Sequence, residues 1–146
     1  MNPLPGDSFP KEYRVSFCNR HLKPGAIFRA HVPHTTPAKV KRFIVIAINE
    51  AIFSMGLLFI NSQVNPNLRN LNLCLTADHR TYLDNDSYLD CSRLYEWSLP
   101  LLRKKFVANP KIYLGHLCDT DMAKARQLVI SAKTIERKLK QRYGFL

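Results

Sequence analysis

The stretch Arg42-Phe43-Ile44-Val45-Ile46-Ala47-Ile48-Asn49 is almost continuously apolar and rich in β-branched side chains. Such a short run, ended by polar residues, reads as a β-strand buried on both faces. Working outward, Ala51 to Phe53 leads through Ser54-Met55-Gly56 into Leu57-Leu58-Phe59-Ile60-Asn61-Ser62, a second strand of the same kind. On the other side, Pro24-Gly25 marks a turn, and Ala26 to Val32 reads as a strand with imperfect alternation. Two prolines and two threonines in Pro33 to Ala38 require a loop between that strand and the buried one.

Shorter elements follow. Leu71 to Thr76 fits a short strand, and Asp84-Asn85-Asp86 is a turn whose side chains bond their own backbone. Ser87 to Cys91 alternates, and the strand is expected to continue with a bulge through Leu94-Tyr95-Glu96-Trp97. Ser98 caps a short helix with Pro100 in its first turn and with Leu101, Leu102 and Phe106 on its buried side. Asn109-Pro110 stops that helix, and Ile112 to Leu117 is a last strand. Asp119 or Thr120 then caps a long basic helix over about residues 120–142. Its apolar stripe is Met122, Ala125, Leu128/Val129, Ala132, Ile135 and Leu139, with Gly144 after its end. Residues 1–22 read as a Pro-rich, irregular arm holding at most a short helix from Lys11 to Arg20, and residues 23–146 as one domain. The pattern predicts a mainly β chain with a C-terminal helix (α+β), its short strands forming a small barrel.

The chain has 146 residues, with 22 Lys and Arg against 11 Asp and Glu, for a net charge of +11. At 46% hydrophobic residues it can build a core, which excludes a disordered basic tail. No apolar run is long enough to span a bilayer, and no secretory leader is visible at the start. Four widely spaced cysteines without a C-x-x-C pair read as reduced, mostly buried thiols of a cytoplasmic protein. The charge is uneven. Residues 11–42 are net +7, residues 43–102 net −3 and residues 103–146 net +8. The excess favours a polyanionic partner, and part of it is ordinary solvated surface.

No Gly-rich phosphate loop, G-x-S-x-G elbow or H-E-x-x-H motif occurs. His31 and His34 have H-x-x-H spacing but lack a cysteine or carboxylate cluster, so neither a metal site nor a cofactor is expected. One strand–loop–strand unit carries Arg29, His31, His34, Thr35, Thr36, Lys39, Lys41 and Arg42. Basic and hydroxyl groups on a loop between strands suit phosphate contact, and histidines there can move protons near neutral pH. That combination allows metal-free RNA cleavage, in which a base deprotonates the 2′-hydroxyl, a cation stabilises the phosphorane and an acid protonates the leaving 5′-oxygen. The plainer reading is a solvated loop. Two polar clusters, Asn61-Ser62-Gln63 and Asp84-Asn85-Asp86-Ser87, either face a site or simply form turns. Tyr82, Tyr88, Tyr95 and Trp97 are candidates for base stacking or for the core.

In order, these pieces resemble the MazF/PemK toxin family, endoribonucleases of type II toxin–antitoxin systems. Pro24-Gly25-Ala26-Ile27 resembles the family's Pro-Gly-Asp-Ile strand, and Lys41-Arg42-Phe43-Ile44-Val45-Ile46 its Lys-Arg-Arg-Pro start to a buried strand. Phe59-Ile60-Asn61-Ser62 stands where the family ends a strand in Ile-Thr-Ser, and Ser87-Tyr88-Leu89-Asp90-Cys91 where it has Ser-Val-Val-Asp-Cys. Gly115-His116-Leu117-Cys118-Asp119-Thr120-Asp121-Met122-Ala123 resembles the segment that opens its last helix. Phe43 replaces the family's Pro, and Asn61 its catalytic Thr.

The resemblance implies an SH3-like barrel of MazF/PemK/CcdB type, a homodimer, an acidic antitoxin partner and single-stranded RNA as substrate. It places catalysis on Arg42, Asn61 and Ser62, with Asp84 or Asp86 as an acidic group. His31 or His34 is a candidate replacement for lost acid–base groups, His34 being preferred as catalytic. Arg29, His31, Lys39, Lys41, Asp84 and Asp86 are then the RNA-contacting set. Two rivals are a barrel that binds nucleic acid or protein without chemistry, and a poison of a protein target such as a topoisomerase.

Overall fold

The structure, a computed structural model, describes residues 10–146, so the Pro-rich start of the expected arm lies outside the described residues. The elements run α1 (Lys11–His21), β1 (Ala26–Val32), β2 (Lys39–Asn49), β3 (Ser54–Asn61), β4 (Asn72–Leu75), β5 (Ser87–Asp90), β6 (Tyr95–Ser98), α2 (Leu99–Ala108), β7 (Tyr113–His116), α3 (Asp119–Ser131) and α4 (Arg137–Arg142). All strands join one antiparallel sheet in the order β4-β5-β3-β2-β1-β7, with β6 added to β3. One edge of β3 pairs with β2, while the other is shared between β6 at residues 54–57 and β5 at residues 60–61. The sheet is curled into a half-barrel and the fold is α+β.

The continuously apolar β2 has a simple cause, because the sheet separates two cores. Phe43 and Val45 face one with Phe28, Trp97 and Phe106, and Ile44 and Ile46 face the other with Ile27, Leu89 and Val129. The register with β3 shifts between Val45 and Ala47, so Ile46 and its neighbour Ala47 belong to the same core. An extra residue in one strand bends it, which suits a curled sheet. Phe28, Phe43 and Phe106 are fully buried, and truncating one to alanine costs about 3–5 kcal/mol.

Four local expectations change. β6 is not a continuation of β5. The Asp90 side chain accepts from Ser92 N at 2.9 Å and Ser92 Oγ at 2.5 Å, an Asx-type turn that ends the strand. In α2 the Ser98 cap is present, with its hydroxyl accepting from Leu101 N, but Leu101 is 53% exposed. The buried face is Leu99, Leu102 and Phe106, at spacings of three and four.

The long helix over residues 120–142 is two helices. Ser131 bonds back to the Leu128 carbonyl, Ala132 is extended, and the Thr134 hydroxyl donates to the Ser92 carbonyl. These side-chain bonds compete with helical ones. Ala132 and Ile135 still reach the core, so the apolar spacing survives the break. The cap of α3 is Cys118, whose Sγ accepts from Asp121 N at 3.5 Å, rather than Asp119 or Thr120.

Cys18 and Cys91 are buried and Cys74 and Cys118 exposed, all four being free thiols. The segment before β1 is a regular helix over Lys11–His21 that packs on α2, with Phe17 edge-on to Phe106 at 5.7 Å and Arg103 donating to Asn19 Oδ1. At the other terminus the Tyr143 hydroxyl lies 2.6 Å from Ser54 Oγ and donates to Glu96, which also pairs with Arg142. Among the described residues, no helix is long and apolar enough to cross a membrane.

Candidate functional site

Where β2 begins and β3 ends, their outer residues lack the cover of both cores. A cleft of about 400 Å³ opens there, lined by Arg29, Lys41, Arg42, Asn61, Ser62 and Asp84, together with Gln63 and Ser87. Sheet register explains the convergence. Arg29 on β1 lies directly opposite Arg42 on β2, and Arg42 lies opposite Ile60, one residue before Asn61. The two polar clusters expected at strand ends, residues 61–63 and 84–87, therefore meet across one opening.

Two of the three cations in the cleft, Lys41 and Arg42, have polar side-chain partners. Lys41 Nζ donates to Asn61 Oδ1 at 2.7 Å, and Arg42 Nη2 donates to Asp84 Oδ2 at 2.7 Å. The Arg42 side chain is 28% exposed and that of Asp84 77%. Arg42 Nε is buried without a partner among the described residues. Burial, followed by the charge of Lys39, lowers the Lys41 pKa below the ordinary lysine value. Like charges placed directly opposite in a sheet repel, and Arg29 stands directly opposite Arg42, whose guanidinium is paired with Asp84. Three cations, side-chain amides, two hydroxyls and one carboxylate can hold a phosphodiester and exchange protons with it.

The other candidate residues lie elsewhere. His34 does not line the cleft. Its Nε2 is 2.7 Å from the Glu96 carbonyl, its ring packs edge-on against Phe59, Tyr95 and Trp97, and its Nδ1 is buried without a partner among the described residues. The aromatic cluster draws the loop after β1 across the sheet and carries His34 with it. His31 lines a separate hollow with Arg29, Lys105 and Asn109. Lys39 is exposed at the start of β2, opposite Val32. Asp86 accepts from Ala77 N at 2.8 Å and so fixes the chain after β4, without lining the cleft. Among the described residues, no group of three or more His, Cys, Asp or Glu is placed to hold a metal ion.

One charged pair has no counterpart in the sequence reading. Arg80 Nε donates to Asp121 Oδ2 at 3.0 Å and Nη2 to Oδ1 at 3.1 Å, while Nη1 reaches the Thr76 carbonyl and hydroxyl. The two residues are 41 positions apart. Only the acidic first turn of α3 hinted at Asp121, and nothing local pointed to its partner. Burial pushes the Asp121 carboxyl up, but hydrogen bonds from Arg80 and Cys118 and the nearby positive charges outweigh it, so its pKa lies below the ordinary value. No family model matches this chain, and no curated protein matches it.

Proposed function

We propose that the protein is a metal-independent endoribonuclease acting on single-stranded RNA, with the Arg42 cleft as its site. The observation that supports this most is the meeting of Arg29, Lys41, Arg42, Asn61, Ser62 and Asp84 in one opening, with two arginines directly opposite each other on adjacent strands. A bound phosphate takes the place of Asp84 against Arg42 and offsets the repulsion between the two arginines. Arg42 then stabilises the phosphorane formed when the 2′-oxygen attacks phosphorus. Asp84, freed from Arg42, accepts the 2′-hydroxyl proton. Lys41, whose lowered pKa eases proton release, protonates the departing 5′-oxygen. Asn61 and Ser62 orient the phosphate oxygens. The products are a 2′,3′-cyclic phosphate and a 5′-hydroxyl.

On this reading the half-barrel belongs to the SH3-like toxin barrels, the chain works as a cytoplasmic homodimer, and an acidic antitoxin neutralises part of its +11 charge. The test incubates wild type and Arg42→Ala with single-stranded RNA in EDTA and analyses the product ends. Wild type is expected to cleave and leave cyclic phosphate ends, and Arg42→Ala to lose at least about a hundredfold in rate. Equal cleavage by both, or none by either, removes the mechanism. One observation favours the rival reading of a binding module without chemistry: Lys41 and Arg42 are both already held by neighbouring side chains. Salt-dependent RNA binding without product would decide for it.

A further inference from the structure

The face of the sheet beyond the cleft carries a second arrangement. Phe43 pairs with Phe59, Asn61 with Tyr88, and Leu57 with Tyr95, so Lys41, Phe59, Asn61, Tyr88 and Tyr95 all point to one side. Over β1, β2 and β6 that side is covered by α1 and α2, and Phe43 and Trp97 are buried there. Towards β5 and β4 the cover ends. Tyr88 is half-buried and belongs to neither core, and Cys74, its register partner, is exposed. Of the four aromatic residues that the sequence offered for stacking, Tyr82 and Trp97 are core, Tyr95 is half-buried against one core and the His34 ring, and Tyr88 is half-buried outside both cores.

Two stacked rings stand there between two cations. Lys41 Nζ sits 5.4 Å from the centre of the Phe59 ring, and Phe59 stacks on Tyr95 at 4.2 Å and 17°. The exposed Arg93 guanidinium lies 4.6 Å from the centre of Tyr95. Phe59 stacks on Tyr95, and the guanidinium of the exposed Arg93 lies over the same ring. The row starts at Lys41, which is also a wall of the cleft.

We propose that this face is a stacking platform for the unpaired bases of a single RNA strand whose phosphate lies in the Arg42 cleft, with Arg93 over Tyr95 and Tyr88, paired four residues further along β3, as its two seats. Bases splayed from a single strand stack on tyrosine rings and guanidinium planes, and the adjacent cations hold the strand's phosphates. The proposal rests on the reading of the cleft as an RNA site.

The experiment measures binding of a 2′-O-methyl decamer, which lacks the attacking hydroxyl, and of the same backbone without bases, across a salt series. Wild type is expected to bind the base-bearing strand about tenfold more tightly than the abasic one. Tyr88→Leu and Tyr95→Leu are each expected to remove most of that difference with an unchanged salt slope, and Arg93→Lys to remove part of it. Tyr95→Phe is expected to stay within about twofold of wild type, which separates stacking from a folding defect. Equal affinity of wild type for both strands, or leucine variants that bind as wild type does, overturns the platform. Cleavage by wild type that persists unchanged in the leucine variants overturns the platform and leaves the Arg42 reading standing. Tyrosine-dependent binding with no cleavage keeps the platform and removes the nuclease. Failure to bind either strand removes both.

Discussion

Arg80 and Asp121 meet inside the fold, where their side chains are 16% and 6% exposed, whereas Arg42 and Asp84 meet at 28% and 77%. In the first pair the carboxylate is held by two parallel bonds and the third guanidinium nitrogen is taken up by Thr76. Every group is satisfied, and the pair ties the segment after β4 to the first turn of α3. In the second pair a single bond joins Arg42 to a carboxylate on a turn open to water. An exposed pair of this kind is worth about 0–1 kcal/mol, so a phosphate can displace the carboxylate at little cost. The same two residue types thus make a strut in one region and, on the proposed reading of the cleft, an exchangeable latch in the other.

Breaking the strut has the largest expected effect. Arg80→Met leaves Asp121 buried without its partner, and Asp121→Asn leaves the guanidinium facing an amide. Each is expected to destabilise the fold by about 3–5 kcal/mol in urea denaturation, because an unpaired buried charge costs more than the pair contributes. The double replacement Arg80→Met with Asp121→Leu should recover much of this loss. Single variants as stable as wild type would show that the pair is not a strut.

Titration sharpens the contrast next. Asp121 lies below the ordinary carboxylate pKa, and so does Glu96, where hydrogen bonds from Arg142 and Tyr143 outweigh the upward push of burial. A carboxyl depressed in the folded state contributes stability above its unfolded pKa, near 4, and loses it as pH falls through the folded value. Stability should therefore drop below about pH 4, and this drop should shrink in Asp121→Asn. At the alkaline end the sign is the reverse. Burial pushes Tyr82 and Tyr143 from 10.0 to about 12, so their contribution is complete below pH 10 and lost as pH rises towards 12. Tyr143→Phe should flatten part of that alkaline loss, followed by circular dichroism. A pH profile unchanged by either variant would show that these groups do not govern it.

These two regions also show what could be read from residues alone. β2 was legible because burial on both faces demands an unbroken apolar run, and Arg42 to Asn49 supplies one. The cleft was legible in parts, since polar residues at the ends of Phe59 to Asn61 and around Asp84 have no role inside a core. Bringing them together needed the register between β2, β3 and β5, which no single strand encodes. The Arg80–Asp121 pair was invisible, because two charged residues so far apart in sequence carry no mark of meeting. His34 misled for a related reason. Its loop was correctly placed, but its direction is set by Phe59, Tyr95 and Trp97, which lie on two other strands.

The latch gives the smallest change in stability and the most specific change in binding. Asp84→Asn keeps the size of the side chain and removes the charge opposite Arg42. Its cost in stability should be below about 1 kcal/mol, a shift of a few degrees or less in melting temperature for a chain of this size. Binding of an uncleavable 2′-O-methyl strand should tighten by a few-fold at low salt, because Arg42 no longer has to leave a carboxylate to meet a phosphate, and the gain should fade as salt screens both interactions. Cleavage should fall in the same variant, since the proposed mechanism also makes Asp84 the base that takes the 2′-proton. Tighter binding together with slower cleavage separates the two roles of this carboxylate. A variant that binds no better than wild type at low salt would show that Asp84 does not compete with the strand, and the latch would then be an ordinary surface pair.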